Sequence, residues 1–178
     1  TTDELDAMGE ELIRESGGTP SFLGYPGAPG AINFPKSTCI SVDEVIVHGI
    51  PGSRTLKEGE IVSIDVGVCY KGYHGDAALS MPCGKVDEER ARLMATTELA
   101  LANGLAKAVA GNFLVDVSRA IQNTCEPEGF SVVRNFVGHG IGLFLHEDPY
   151  LGRYGDSELE AGMVLGIEPL VYIPGRMG

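Results

Sequence analysis

Two aspartates in a predicted β-hairpin are the first candidates for metal chemistry. The hairpin turns at Lys71-Gly72, and in that register Asp76 lies opposite Gly67, on the same face as Asp65. Two carboxylates aimed at one volume repel each other unless cations compensate them. A pair of divalent cations fits such ligands. The alternative is a hairpin with solvated aspartates, and a one-residue change of register would separate the two.

Three of the four histidines are candidates for the same chemistry. His48 precedes a glycine, His139 lies within Gly-His-Gly-Ile-Gly, and His146 begins His-Glu-Asp-Pro. Imidazole is a good ligand for transition metals, and glycine lets the backbone approach a ligand closely. Because His139 and His146 are seven residues apart, they can serve one site only if the chain bends between them. A lone histidine is more often a structural or surface residue than a ligand, and we assign His74 to that class because we expect it to point away from Asp76.

Glu168 completes the candidate donor set. It lies in a predicted apolar strand, where a buried glutamate needs a partner, and Pro169 favours an extended backbone. Glu147 and Asp148 are expected in a solvated turn. Two aspartates, one glutamate and two or three histidines suit a dinuclear site of hard or borderline cations that holds a water and a carbonyl oxygen for hydrolysis. No nucleophile elbow or phosphate loop supports a serine hydrolase or a nucleotide enzyme.

The elements that must position these residues indicate an α+β fold. Leu5, Met8, Leu12 and Ile13 recur at helical spacing near the N-terminus, after a capping box at Thr1. Two further helices are predicted over residues 87–108 and 115–125. The predicted strands cover residues 39–42, 44–47, 60–70, 73–81, 130–137 and 163–173.

Composition excludes several classes of protein. The 178 residues suffice for one domain, and 13 basic against 25 acidic residues give a net charge of −12. An acidic chain lacks the cationic face that nucleic acids and anionic membranes require, and no stretch of eighteen apolar residues is present. The four cysteines are scattered, which favours reduced thiols in a cytoplasmic protein.

Several segments together resemble the signature of type I methionine aminopeptidases. The matching segments are Phe34-Pro35-Lys36-Ser37, Cys39-Ile40-Ser41-Val42, His48-Gly49-Ile50-Pro51, Ile64-Asp65-Val66, His74-Gly75-Asp76, Gly138-His139-Gly140-Ile141-Gly142 and Ile167-Glu168-Pro169. Their order and approximate spacing match across nearly the whole chain. The resemblance implies the pita-bread fold, in which two pseudo-symmetric halves of antiparallel sheet are covered by helices.

The resemblance also implies a set of metal ligands. Asp65 would chelate one of two divalent ions, Asp76 would bridge both, and His139 and Glu168 would hold the other. Glu168 is in addition a candidate base for the bridging water. The expected cofactors are two ions of cobalt, manganese, iron or zinc. The family's fifth ligand, a glutamate, is expected beyond Gly178.

The implied substrate contacts form a second set. His48 and His146 would contact the substrate and stabilise the tetrahedral intermediate. Tyr25, Phe34 and Cys39 fall where the family lines its methionine pocket. A loop over residues 26–33 interrupts that segment.

The expected function is removal of the N-terminal methionine from nascent proteins by metal-activated water. The expected partner is the nascent polypeptide, which the enzyme would bind at the ribosome. No direct contact with nucleic acid or membrane is expected, and the expected oligomeric state is a monomer. Leu143 stands where methionine enzymes usually have arginine, so a related Xaa-Pro aminopeptidase or dipeptidase is the alternative. A non-catalytic binding relative is another. We expect residues 1–178 to be a single catalytic domain cut at both ends.

Overall fold

The computed structural model describes residues 1–133, 138–151 and 157–175. Within these residues all strand pairs are antiparallel, and helices accompany the sheets, so the predicted α+β class is confirmed. No helix of the described chain is both long enough and apolar enough to cross a bilayer. None of the four cysteines forms a disulfide bond.

The chain divides into two compact units. Unit 1 comprises residues 1–86 and 142–145, and unit 2 comprises residues 87–141 and 146–178. The prediction of a single catalytic domain over residues 1–178 stays a prediction.

Unit 1 begins with helix α1 (Thr2–Glu15), opened by the predicted capping box at Thr1. Its buried face differs from the one that apolar spacing suggests. Met8 and Leu12 are 58% and 62% exposed, and two of the three buried residues are polar. The buried residues are Thr2, Asp6 and Ile13.

The sheet of unit 1 is built on one long strand. Strand β3 (Ile61–Tyr70) pairs along its whole length with β4 (Tyr73–Pro82). It also pairs with β1 (Thr19–Pro20) near its end and with β2 (Cys39–Val42) nearer its start. The predicted strand over 44–47 is not formed, because β2 ends at Val42 and a turn follows. The buried hydrophobic cluster at this sheet consists of Ile40, Val42 and Val62.

The turn between β3 and β4 is the predicted two-residue turn. Lys71 and Gly72 have φ angles of 51° and 86°, the left-handed values that type I′ turns require at both central positions. Tyr70 therefore pairs with Tyr73, and the register predicted from the sequence is confirmed along the hairpin.

Unit 2 begins with two packed helices, α2 (Glu88–Leu105) and α3 (Leu114–Cys125). Asp87 caps α2 by accepting a hydrogen bond of 2.8 Å from the backbone N–H of Arg90. A single 3₁₀ turn, Glu126–Glu128, follows α3. The buried core of this unit consists of Ala100, Leu114, Val117, Ile121, Cys125, Phe130, Leu151 and Leu159.

The strands of unit 2 are short. β6 (Gly138–Gly140) lies between β7 (Glu147–Tyr150) and β8 (Leu165–Ile167). β5 (Ser131–Val132) pairs with β9 (Val171–Tyr172). The predicted strand over 163–173 is thus two strands, β8 and β9. The part of the predicted strand at 134–137 lies outside the described residues.

Candidate metal centre

The hairpin of unit 1 presents Asp65 and Asp76 on one face. Asp76 pairs with Gly67, and Asp65 pairs with Ala78, so the two aspartates are diagonal neighbours as predicted. The space above Gly67 is filled by the ring of Phe22, since a Cβ added at Gly67 would lie 2.6 Å from it. Phe22 was missed by sequence reasoning, because an aromatic residue after a short strand carries no distinctive signal.

Cys39 lies beside this face. It is the first residue of β2 and pairs directly with Asp65, so the two side chains leave the sheet on the same side. Its exposed fraction is 4%. The structure therefore brings one residue of the expected methionine pocket next to one expected metal ligand.

Tyr25 and Phe34 close the base of the loop over residues 26–33. The backbone N–H of Phe34 donates to the carbonyl of Tyr25 at 2.9 Å, and the Phe34 carbonyl accepts from Gly24 at 2.8 Å. The ring of Phe34 meets that of Phe22 edge to face, with centroids 6.4 Å apart. Because Phe22 also covers Gly67, a continuous aromatic contact runs from Phe34 to the hairpin.

The expectation that His74 points away from Asp76 is wrong. His74 pairs with Cys69, two positions from the pair at Gly67, so it shares a face with Asp76 instead of pointing away. Residues two apart on a strand always share a face. Its Nδ1 lies 2.8 Å from Ser21 Oγ, and its backbone N–H donates to Gly142 O at 2.8 Å.

His48 lies at the edge of β2. Its φ angle is 56°, and the next residue, Gly49, accepts a hydrogen bond from Ile40 N at 2.8 Å. Together with Ile40 and Ile50, His48 lines an open cavity of about 400 Å³. Its contact with substrate stays a prediction.

In unit 2 the structure brings His139 and Glu168 together. His139, on β6, is buried at 5% exposure, and its Nε2 lies 2.9 Å from Glu168 Oε1. Glu168 follows β8 directly and is 38% exposed at its side chain, so it is not inside a strand as expected. Pro169 lacks the N–H that would continue the ladder.

The side chains of His139 and Glu168 are arranged as two ligands of one metal ion would be. The Nδ1 of His139 lies 2.9 Å from its neighbour's carbonyl, Gly140 O, which can only accept, so Nδ1 carries the proton. A neutral ring with this tautomer would direct its Nε2 lone pair towards the Glu168 carboxylate, and two acceptors at 2.9 Å require a cation or a proton between them. Two ligand atoms, each about 2.1 Å from one ion, would lie about 3.0 Å apart in octahedral coordination and about 3.4 Å apart in tetrahedral coordination. His139 and Glu168 therefore fit a divalent cation.

Gly166 lies directly behind this pair. It is opposite His139 in the β6–β8 register, and a Cβ added there would lie 3.3 Å from His139 Nε2 and 3.5 Å from Glu168 Oε1. Sequence reasoning did not single out Gly166, although a glycine inside an apolar strand signals a close approach.

His146 lies against His139. Their ring centroids are 4.3 Å apart with an interplanar angle of 56°, so the bend expected between them is present. The β6–β7 pairing shifts register between His139 and Gly140, which lets residues seven apart meet.

Sequence comparisons give one consistent result. The profile of metallopeptidase family M24 matches residues 1–178. A methionine aminopeptidase of Clostridium perfringens is 50% identical over 175 residues, which cover 96% of this chain and 68% of that protein. Methionine aminopeptidase 1 of Bacillus subtilis is 48% identical over 180 residues, covering 99% of this chain and 70% of that protein.

Structural comparisons give two kinds of neighbour. The crystal structure of a methionine aminopeptidase from Rickettsia prowazekii has a TM-score of 0.90 at 36% identity, covering 99% of this chain and 70% of that one. The prolidase of Pyrococcus furiosus has a TM-score of 0.82 at 25% identity, covering 98% of this chain and 49% of that one. These likenesses confirm the expected pita-bread fold.

Proposed function

The chain belongs to metallopeptidase family M24, and on that premise we propose that it is a metal-dependent aminopeptidase that releases the N-terminal methionine of polypeptides. The sequence supports this activity over that of prolidase, because identity to the methionine aminopeptidases is higher. Within the structure, the observation that carries the proposal is the buried His139 imidazole directed at the Glu168 carboxylate.

Family membership implies that the chain binds divalent metal. The proposed ligands are Asp65, Asp76, His139 and Glu168, and the proposed number of ions is two. Oxygen-rich sets with one imidazole suit manganese, iron, cobalt or zinc. A divalent cation held by such ligands polarises a carbonyl group and lowers the pKa of water.

The remaining roles fall to side chains of this chain. Glu168 is the proposed acceptor of the proton from the attacking water. His146, which is in ring contact with His139, is the proposed donor of a hydrogen bond to the substrate carbonyl as negative charge develops. His48 is a proposed second contact to the substrate.

The proposed methionine pocket consists of Tyr25, Phe34 and Cys39. Two aromatic rings and a thiol suit an apolar, polarisable thioether side chain. The position of Cys39 supports the assignment of the pocket, because Cys39 lies opposite Asp65. Asp65 is a proposed metal ligand, and the scissile bond of the substrate would approach it.

Titration calorimetry and peptide hydrolysis test the proposal together. Mn²⁺ or Co²⁺ added to the full-length apo-protein is expected to bind, and the loaded full-length protein is expected to release methionine from Met-Ala-Ser. Addition of a chelator is expected to abolish release. Absence of metal binding would contradict the proposal of a metalloenzyme. Metal binding without hydrolysis of any peptide would favour the alternative of a non-catalytic binding protein.

A second candidate, an Xaa-Pro peptidase, is favoured by Leu143 and by the structural likeness to prolidase. Competition between Met-Ala-Ser and Ala-Pro peptides decides between the two. We expect a strong preference for the methionine peptide, and a preference for Ala-Pro would replace the first proposal with the second.

The cellular setting is a further part of the proposal. We propose that the substrates are nascent polypeptides, that the enzyme acts as a monomer, and that it acts in the cytoplasm. Four cysteines without disulfides support the location, and the net charge of −12 argues against direct nucleic-acid binding.

A further inference from the structure

A buried carboxylate of α1 holds the segment that precedes β2. Asp6 is 5% exposed, and its Oδ1 accepts hydrogen bonds from Ser37 N at 3.1 Å and Thr38 N at 2.9 Å. It accepts a third from Thr38 Oγ1, also at 2.9 Å. Its other oxygen, Oδ2, lies 3.7 Å from Lys36 Nζ. Removing such an acceptor would leave buried donors unsatisfied.

Two other residues of α1 contact the same segment. Ser37 Oγ donates to Glu10 Oε2 at 2.7 Å, and this bond, helped by Arg14, holds the pKa of the Glu10 carboxyl below its usual range. Gly9 permits close approach, since a Cβ there would lie 2.7 Å from Thr38 Cγ2. Asp6, Gly9 and Glu10 are spaced three and four apart, so they form one helix face.

This helix face lies against the middle of the proposed pocket wall. Phe34 precedes the held segment, and Cys39 follows Thr38 directly. Cys39 is also the first residue of β2, where it pairs with Asp65. Ser37 and Thr38 are 0% and 1% exposed, so the segment has little freedom to move unless the hydrogen bonds to Asp6 are lost.

We propose that Asp6 is a positioning residue for methionine specificity. It fixes Ser37 and Thr38 and thereby sets the position of the Cys39 side chain in the methionine pocket. The role assigned to Cys39 rests on the proposed function. Asp6 itself contacts neither the substrate nor a proposed metal ligand, so its effect acts through Cys39.

The variant Asp6→Asn tests the role, because a neutral amide oxygen accepts fewer and weaker hydrogen bonds than the carboxylate oxygen that now accepts three. Asp3→Asn is the matched control. Asp3 lies on the same helix, is half exposed and accepts from the same Lys36 Nζ at 2.6 Å, but Ser37 and Thr38 do not bond to it. In the metal-loaded protein we expect Asp6→Asn to raise KM for Met-Ala-Ser about tenfold while kcat changes less than about threefold. Preference for methionine over leucine at the first position is expected to fall. Asp3→Asn is expected to match the wild type.

Alkylation of Cys39 provides a readout that does not depend on activity. Iodoacetamide labelling, followed by mass spectrometry of the Cys39 peptide, is expected to accelerate several-fold in Asp6→Asn and to stay unchanged in Asp3→Asn. If the wild type does not cleave methionine peptides, the proposed function fails while this labelling result still tests the positioning of Cys39. Unchanged labelling together with unchanged KM in a folded Asp6→Asn protein would overturn the inference.

Thr38→Val covers the case in which Asp6→Asn does not fold. This nearly isosteric change removes one of the three hydrogen bonds to Asp6 and keeps the carboxylate. We expect smaller changes of KM and labelling in the same directions, and wild-type values for both would overturn the inference.

Discussion

The two proposed ligand pairs lie on backbones of different character. Asp65 and Asp76 lie on a hairpin of ten consecutive cross-strand pairs that ends in a two-residue turn. His139 and Glu168 lie on or beside three-residue strands, with a register shift next to His139. A long ladder positions side chains through backbone hydrogen bonds. On the short strands the ligand atoms are positioned by their mutual contact and by the glycine behind them.

The largest expected effect comes from removing one ligand of either pair. We expect Asp76→Ala and Glu168→Ala each to lower kcat/KM for Met-Ala-Ser by about a thousandfold or more, because the charge stabilisation by the bound cation is worth several kcal/mol. Ser80→Ala, four residues further along β4, is the control and should retain activity. Hydrolysis that survives Asp76→Ala would exclude the hairpin from the site.

A methyl group added behind His139 and Glu168 should have the next largest effect, and this effect is on metal affinity. Gly166→Ala would place a Cβ 3.3 Å from His139 Nε2, and we expect metal affinity by calorimetry to fall about 10- to 100-fold. Gly75→Ala in the hairpin is the matched control, since a Cβ there meets nothing within 4 Å. Equal affinities of the two variants would show that the glycine does not position the ligands.

A methyl group in the hairpin should act on stability. Gly67→Ala would place a Cβ against the Phe22 ring, and we expect the free energy of unfolding in urea to fall by about 1–3 kcal/mol through overpacking. Gly75→Ala again serves as the control. A stable Gly67→Ala protein would mean that Phe22 can move away without cost.

The smallest expected effect lies at the hairpin turn. Lys71 has a φ of 51°, which asparagine adopts more readily than lysine, so Lys71→Asn should stabilise the protein by less than about 1 kcal/mol. Lys71→Ala is the comparison, because both variants lose the contact of Lys71 Nζ with the Tyr70 ring. If the Lys71→Asn protein were no more stable in urea than the Lys71→Ala protein, turn geometry would not limit the hairpin.

The hairpin shows how far sequence reasoning reaches. The Lys71-Gly72 turn and two runs of strand-forming residues determine the register, and with it the shared face of Asp65 and Asp76. The predicted orientation of His74 is wrong although the predicted register is right, because residues 74 and 76 are two apart on one strand and share a face.

Helix α1 shows where sequence reasoning stops. Its bounds follow from the capping box and the glycines after it, but apolar spacing does not identify its buried face. Asp6 is buried because Ser37 and Thr38, more than thirty residues away, supply its hydrogen bonds. Such a partner cannot be deduced from the spacing of residues within the helix.

The sequence by itself determined the α+β class, the hairpin register and the types of ligand, because turn chemistry, strand periodicity and donor atoms are local properties. Only the tertiary structure decided that His139 meets both Glu168 and His146, and that Gly166 lies behind this group. Those contacts join short strands, and the contact between His139 and His146 lies beside a register shift. Their geometry depends on long-range packing that no local pattern encodes.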